Sequence, residues 1–455
     1  MDQKRKPNLS LAPGVMRPKA AHVAEVIAGI PERFAQDGFA AWGARRLWVY
    51  RRGVYQPRGA ETVAKYAKAI LRSNHIEAAW STRLASETTE YLRTDAPTLP
   101  DAPPLHVVNT ANGLLNVDKR ELRPHDPDFL SVVQLPVVYD PNARCPAWER
   151  QIVETWPADA VEAGLPWAIA AYLMLPITAL QKAILFLGES GSGKSVFLAA
   201  LIAFLGLANI SAVPLQKLED DRFAVSMLIG KLANIFADLP SQHLETSAIF
   251  KSITGGDLVP AEFKFRDQFA FRPFARLVFS SNQPPISRDA SDAFFERWLV
   301  VPFERKFRGA ENERDRAELD RELALPGELS GVLNKALDAL PGVLKNGLPE
   351  PESCKRAHEE FRTVTDPFSV WLSREVIVAP NIEVAKEQLH QHFNAYVARH
   401  GGQSMTATGF SLALKRHLRE IDEGKGTVNG KRALVWRGVG LRLVAPEIGE
   451  PEEAA

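Results

Sequence analysis

Cysteine is nearly absent: Cys145 and Cys354 are the only two in 455 residues, far apart and in no CxxC or Cys/His arrangement. That excludes a disulfide framework and a cysteine-built zinc site, and leaves both as small buried apolar residues in a reducing compartment. A surplus of one charge is missing too. Lys+Arg and Asp+Glu both number 55, so no global field draws the chain to nucleic acid, and any such surface must be a local patch. No apolar run approaches the roughly 20 residues of a membrane span. The basic amino terminus, "MDQKRKPNLSLAPGVMRPKA", has no apolar stretch of signal-peptide length followed by a cleavage site. A cytoplasmic protein is expected, with no membrane partner. Internal repeats and low-complexity tracts are also missing, so the length is to be divided among two or three globular units.

What is present divides along the chain. Residues 1–22 are basic, contain proline and lack periodicity, and read as a flexible arm. Residues 23–141 read as a small α+β module, in which short β-branched and aromatic runs flank the helical "AETVAKYAKAILRSNHIEAAWSTRLASETTEYLRT". Residues 142–180 keep apolar positions at helical spacing. Residues 181–350 then alternate buried strands (Ala183–Leu187, 231–238, 276–282, 297–303) with helices, the pattern of a parallel sheet covered on its faces. Helices across 311–349 are expected to cover that sheet, and the proline-rich 347–354 reads as a linker. The tail, 364–446, holds three helical runs and then two alternating runs separated by Asn429 and Gly430, a hairpin signal. Three helices plus a hairpin is a winged-helix pattern.

"GESGSGKS", residues 188–195, satisfies the P-loop spacing GxxxxGKS/T. It follows a buried strand and opens a helix, so backbone N–H groups and the helix amino terminus converge where a polyphosphate's charge is stabilised. Gly188, Glu189, Ser190, Gly191, Ser192, Gly193, Lys194, Ser195 and Val196 form the expected ATP cradle. Gly191 and Gly193 permit close backbone approach, Lys194 places a cation on the β/γ-phosphates, and Ser195 offers its hydroxyl to Mg²⁺. Asp238, at the carboxyl end of the strand "KLANIFAD", stands where an acid near metal and water is needed; a turn aspartate is the alternative. Asn282 ends the next strand, in "LVFSSNQPP", where its amide could hold the attacking water or sense the γ-phosphate, or simply open the Pro-Pro turn.

The ordered series "LFLGESGSGKSVFL", "NIFADLP", "FKSITGGDLVPAEFKF", "RLVFSSNQPP" and "FFERWLVVPF" resembles superfamily 3 helicases of the phage and plasmid primase-associated type, related to the poxvirus primase-helicase. The similarity extends over residues 105–310. It implies an AAA+ ATPase, usually a hexameric ring, that translocates on single-stranded DNA at a replication fork with 3′ to 5′ unwinding. It carries Lys194 and Ser195 onto the Walker A pair, Asp238 onto the Walker B acid, which with Ser195 holds the metal, and Asn282 onto the polar sensor. It carries Arg297 onto the arginine that reaches a neighbouring subunit's γ-phosphate, a role that suits a guanidinium stabilising transition-state charge. Many AAA+ proteins have an Asp-Glu pair at Walker B. Here Leu239 follows Asp238 and Glu245 is the next acid, so which carboxylate polarises the water stays open.

In "PAEFKFRDQFAFR", alternation puts Phe263, Phe265, Phe269 and Phe271 on one face of a half-buried hairpin and Lys264, Arg266 and Arg272 on the other. The resemblance makes this the DNA-facing hairpin, with Lys264 first and Arg266 second as sequence-blind phosphate contacts. It also places Lys251 near the subunit interface. Lys415, Arg416 and Arg419, with Lys425, Lys431, Arg432 and Arg437 near the wing, suit duplex DNA or protein docking equally. The 140 residues ahead of the helical segment show no paired-carboxylate or zinc-ligand motif, so a primase or polymerase is expected on a separate chain. The leading expectation is a replicative DNA helicase of a phage or plasmid-like element. The alternatives are an ATP-switched initiator that melts DNA locally, and an ATPase acting on protein clients, which the basic hairpin disfavours.

Overall fold

Apolar runs without alternation, such as Ala183–Leu187 and Trp298–Pro302, are satisfied only where both faces of a strand are covered. The computed structural model, which describes residues 19–239, 244, 246–285, 287, 289, 291–309, 313–399, 404–428 and 430–442, shows how each region achieves this. The basic arm up to residue 18, Glu245 and Asn429 lie outside the described residues.

The amino-terminal region opens with α1 (Ala20–Ala28) and α2 (Ile30–Asp37), followed by an antiparallel sheet of β1 (Ala40–Gly43), β2 (Arg46–Arg51) and β3 (Val54–Gln56). Next come α3 (Gly59–Ser73) and α4 (Thr82–Asp95). Helix α3 buries Val63, Ala67 and Leu71, one residue per turn, the stripe that lets a surface helix lie on a core. Ser81 starts α4 by accepting the Leu84 N–H at 3.0 Å. A second antiparallel sheet follows, of β4 (Val107–Thr110), β5 (Gly113–Asn116) and β6 (Leu122–Arg123). The β-branched run 131–138 forms no strand, and Pro136 within it removes a backbone donor. It is nonetheless tied to the sheet region: Leu135 N–H donates to Asn109 O at 2.8 Å, and Ala111 N–H to Val137 O at 2.9 Å.

Three helices lead into the central sheet: α5 (Pro146–Thr155), α6 (Ala158–Glu162) and α7 (Leu165–Met174). The first N–H groups of α5, at Ala147 and Trp148, donate to the Glu328 carboxylate at 3.1 and 3.2 Å, which satisfies orphan donors and places negative charge at the positive helix end. The core then runs β7 (Ala183–Leu187), α8 (Lys194–Leu205), β8 (Ile210–Ser211), α9 (Leu215–Asp220), α10 (Arg222–Val225), β9 (Ala233–Phe236) and α11 (Ala248–Gly255). It continues through the small hairpin β10 (Val259–Ala261) and β11 (Phe269–Phe271) to β12 (Arg276–Ser281), α12 (Asp292–Phe295) and β13 (Trp298–Pro302). The result is mixed α/β with a five-stranded parallel sheet in the order β13-β7-β12-β9-β8. The strand β8 escaped the sequence reading because two residues carry no period.

Two placements differ from expectation. Helices α13 (Arg316–Leu323) and α14 (Pro326–Asn346) do not lie on the sheet itself. Helix α14 packs on α7, and α13 on α8, as an outer layer. Gly331 lets α14 also approach the segment ahead of α5, since a Cβ there would meet the Arg144 carbonyl carbon at 2.2 Å. The proline-rich run 347–354 does not act as a linker: it passes into α15 (Glu352–Thr365), which packs on the edge strand β13 and buries Cys354, Ala357 and Phe361. Covering an open sheet edge removes its pairing potential.

The carboxy-terminal unit has α16 (Pro367–Glu375), β14 (Val376–Ala385), α17 (Lys386–Arg399), α18 (Ala407–His417), β15 (Asp422–Val428) and β16 (Lys431–Leu441). Strand β14 between the first two helices was not anticipated. It pairs with the long hairpin in the order β14-β16-β15, around a core of Phe368, Trp371, Phe393 and Phe410. Among the described residues no helix is long and apolar enough to cross a membrane.

Candidate nucleotide site

The site is built at the carboxyl end of β7, where the sheet order reverses between the neighbours β13 and β12, the crevice in which open α/β sheets place ligands. Residues 188–193 turn the chain from strand to helix. Gly191 and Gly193 adopt φ of 84° and 93°, the left-handed region that side chains disfavour. Gly188 is required for a different reason: a Cβ there would stand 2.2 Å from the Phe303 carbonyl oxygen. Gly188→Ala should therefore lower stability by about 1–3 kcal/mol. Gly327→Ala, with nothing within 4 Å of its Cβ position, should not, and thermal melting of the two variants compares them directly. Beneath the loop, Trp156, Phe186, Phe197 and Phe303 interlock, with centroids 4.9 Å apart for Trp156 and Phe197 and 5.5 Å for Phe186 and Phe303, fixing α8 against the strand ends.

Lys194 is buried and folds back over its own loop. Its Nζ donates to Gly188 O, to Glu189 O at 2.8 Å, to Ser192 Oγ at 3.3 Å and to Asn282 Oδ1 at 3.2 Å. Burial pushes its ammonium below the ordinary lysine value, and the nearby Asp238 charge opposes that. Asp238 follows β9 with φ of 65°. Its N–H reaches Ser280 Oγ at 3.3 Å, and the next N–H, of Leu239, reaches Ser280 O at 2.7 Å. The left-handed backbone and these two bonds to the adjacent strand hold Asp238 at the rim; such strain is stored where surroundings over-determine it. Ser190, Gly191, Ser192, Gly193, Lys194, Ser195, Val196, Asp238 and Asn282 line one cavity of about 430 Å³. Gly188 and Glu189 contribute their carbonyls to Lys194 rather than wall to the cavity.

Several lining residues were missed from sequence. Gln151 and Glu154 come from α5, Phe307, Arg308 and Arg314 from the strap that follows β13, and Arg316 from the start of α13. Phe307 N–H donates to Gly191 O at 2.9 Å, Arg316 Nη2 to Ser195 O at 2.9 Å, and Arg305 Nη1 to Glu154 O at 2.8 Å. The only signal in the sequence was the cation density of "ERKFRGAENERDR", which ordinarily marks a solvated segment.

The other candidate residues lie elsewhere. Arg297 precedes β13, and its carbonyl accepts the Ala183 N–H at 2.7 Å, so it stands at the amino end of the sheet, opposite the loop. Its guanidinium bonds Ala293 O and, at 3.4 Å, Gln181 Oε1. Lys251 is paired within the chain to Asp289 at 2.7 Å. Burial opposes ionisation of Asp289, but hydrogen bonds from Lys251, Ser247 and Ser291 outweigh it and hold the carboxyl well below the usual range.

The hairpin departs from the expected alternation. Its strands are three residues long, pairing Val259 with Phe271 and Ala261 with Phe269, and residues 262–268 form an irregular tip. Phe263 packs on Phe269, with centroids 5.2 Å apart. Phe265 leaves that face: it turns with φ of 62° and is fully exposed, because a chain reversal cannot maintain a two-residue period. Lys264 is exposed at the tip, whereas Arg266 Nη1 donates to Arg45 O at 2.9 Å.

Comparison with known proteins adds two matches. Residues 37–157 are similar to the family described as D5 N terminal like. Residues 186–297, which contain the glycine-rich loop and Asp238, match a family of unknown function, DUF5906. Among solved structures, "The A form apo structure of NrS-1 C terminal region-CTR" is 13% identical with a TM-score of 0.49, over 90% of this chain and 98% of that one. "The apo structure of NrS-1 C terminal region (305-718)" is 10% identical with a TM-score of 0.46, over 91% of this chain and all of that one.

Proposed function

We propose that this chain is an ATP hydrolase that drives movement along single-stranded DNA, a replication helicase of the superfamily 3 type. The observation that carries the reading is the convergence on one cavity of Lys194 from the head of α8, Asp238 from the end of β9 and Asn282 from the end of β12. The similarity of residues 37–157 to D5 N terminal like segments supports a phage-type replication protein of the primase-helicase kind.

The residues present fit ATP and Mg²⁺. Gly188, Gly191 and Gly193 let the loop close against Phe303, Arg308 and Thr155, where a Cβ would clash, the buried Lys194 cation is held among four oxygens that phosphate oxygens can replace, and Arg308 adds positive charge to a wall that also holds Arg314 and Arg316, paired with Glu322 and Asp320. Ser195 and Asp238 would supply the oxygen donors for Mg²⁺, which commonly takes one or two protein ligands beside phosphates and water. When bound, ATP supplies the phosphoryl group whose transfer to water releases the driving free energy. Lys194 holds positive charge at the β/γ position, Asn282 positions the water, and Arg297 acts on the site of a neighbouring subunit in a ring. The division into an arm (1–22), an amino-terminal module (23–141), a helical segment (142–180), an AAA+ motor (181–350) and a winged helix (364–446) belongs to the same reading. The helix-strand-helix-helix-strand-strand order of the last unit supports it. There Lys415 pairs with Glu423 and Arg437 with Glu383, which weakens the case for duplex DNA on that surface.

The deciding experiment is ATP-dependent strand displacement on duplexes with a 3′ or a 5′ single-stranded tail, with Lys194→Ala as the control. Unwinding from the 3′ tail alone, absent in the control, is the expected result. DNA-stimulated hydrolysis without displacement would favour the initiator that melts DNA locally.

A further inference from the structure

The hairpin tip does not stand free. It leans on the turn between β1 and β2, and between the two lies an open cleft of about 620 Å³ lined by Trp42, Arg45, Glu90, Arg93, Phe265, Arg266 and Asp267. Four arginines meet around it. Arg46 lies over the Phe263 ring at 4.0 Å and Arg93 over the Trp42 ring at 5.2 Å. Arg45 pairs with Asp267 at 3.7 Å, and Arg93 pairs with Glu90. Arg46 and Arg266 have no carboxylate among these partners, and burial followed by the Arg266 charge pushes the Arg46 guanidinium down. Like charges crowded in this way are relieved by an arriving anion.

We propose that this cleft is a binding site for single-stranded DNA, with Arg45, Arg93 and Arg266 on the phosphates and Phe265 as a stacking platform for an unpaired base. The inference rests on the motor reading in its choice of DNA, and it extends the contact from the hairpin tip onto the amino-terminal module. Cations interleaved with aromatic rings are the composition that holds single strands without regard to sequence. The exposed Phe265 ring at the cleft favours a single strand over a duplex, because only unpaired bases present their faces. Full exposure of Phe265 gives it no role in the core of this chain.

The test is fluorescence anisotropy of a labelled dT oligomer with the full chain and a non-hydrolysable ATP analogue. Phe265→Ala should weaken binding by about fivefold to a hundredfold, and Arg93→Ala should weaken it and reduce the dependence on salt by about one phosphate contact. Arg83→Ala is the control, since it removes a comparable exposed ion pair to Glu87 from the same helix away from the cleft, and it should bind as the unmodified chain does. Equal affinity of Arg93→Ala and Arg83→Ala would overturn the cleft even if Phe265→Ala is impaired, and would confine DNA to the hairpin with the motor reading intact. Failure of the unmodified chain to bind the oligomer, or equal binding of a duplex, would also overturn it. Cleft-dependent binding by a chain that does not hydrolyse ATP would support the cleft and count against the motor.

Discussion

Lys194→Ala is expected to reduce ATP hydrolysis by a factor on the order of 10²–10³ or more, the loss typical when a single preorganised group facing developing charge is removed. The physical basis is that Lys194 is the cation at the centre of the loop, its Nζ surrounded by Gly188 O, Glu189 O, Ser192 Oγ and Asn282 Oδ1. The fold should survive. Burial already disfavours the charged form of Lys194, so folding forfeits part of what its bonds return, and the freed oxygens border an open cavity that water can enter. Steady-state phosphate release with a melting curve on the same sample separates the two effects. Turnover near that of the unmodified chain would refute the assignment of the loop, and a melting transition that reaches the assay temperature would mean that hydrolysis was lost through unfolding.

Arg297→Ala should lower hydrolysis by about 10³-fold or more, as loss of an arginine that stabilises transferring phosphate does. The same variant mixed with Lys194→Ala should regain activity. Arg297 lies at the amino end of β13 and the glycine-rich loop at the carboxyl end of β7, so five residues of strand, about 16 Å, separate them. No arginine side chain spans that distance within one chain, and any part Arg297 has in hydrolysis must be played on another subunit. In a head-to-tail ring of equal parts, about a quarter of the interfaces would join an intact loop to an intact Arg297. Absence of rescue at matched assembly, read by light scattering alongside phosphate release, would remove Arg297 from the site.

How far the sequence was legible depends on the range of the forces involved. The strand Ala183–Leu187, the turn at Gly191 and Gly193 and the helix ending at Gly206 were readable because each follows from burial or backbone preference within a few residues. The hairpin was legible as a pair of strands but not as a tip, because alternation says which side chains share a face and nothing about where the chain reverses. Phe265 is the result: an apolar residue assigned to the buried face that the turn places in solvent. The strap after β13 was not legible at all. Nothing in the local pattern singles out Arg308, Arg314 or Arg316, yet the path of the chain after β13 carries them over the glycine-rich loop.

The sequence by itself determined the local chemistry: a glycine cradle followed by Lys194 and Ser195, an acid and an amide each at a strand end, and a basic, aromatic hairpin. Only the tertiary structure decided which of these meet. It joined Asp238 and Asn282 to Lys194 through the order of parallel strands, kept Arg297 at the far end of the same sheet, laid α14 on α7 instead of on the sheet, and leaned the hairpin on an arginine-rich turn two hundred residues earlier. The reason is that hydrophobic burial is non-directional: a periodic pattern states that a face must be covered, and the packing of the whole chain selects what covers it.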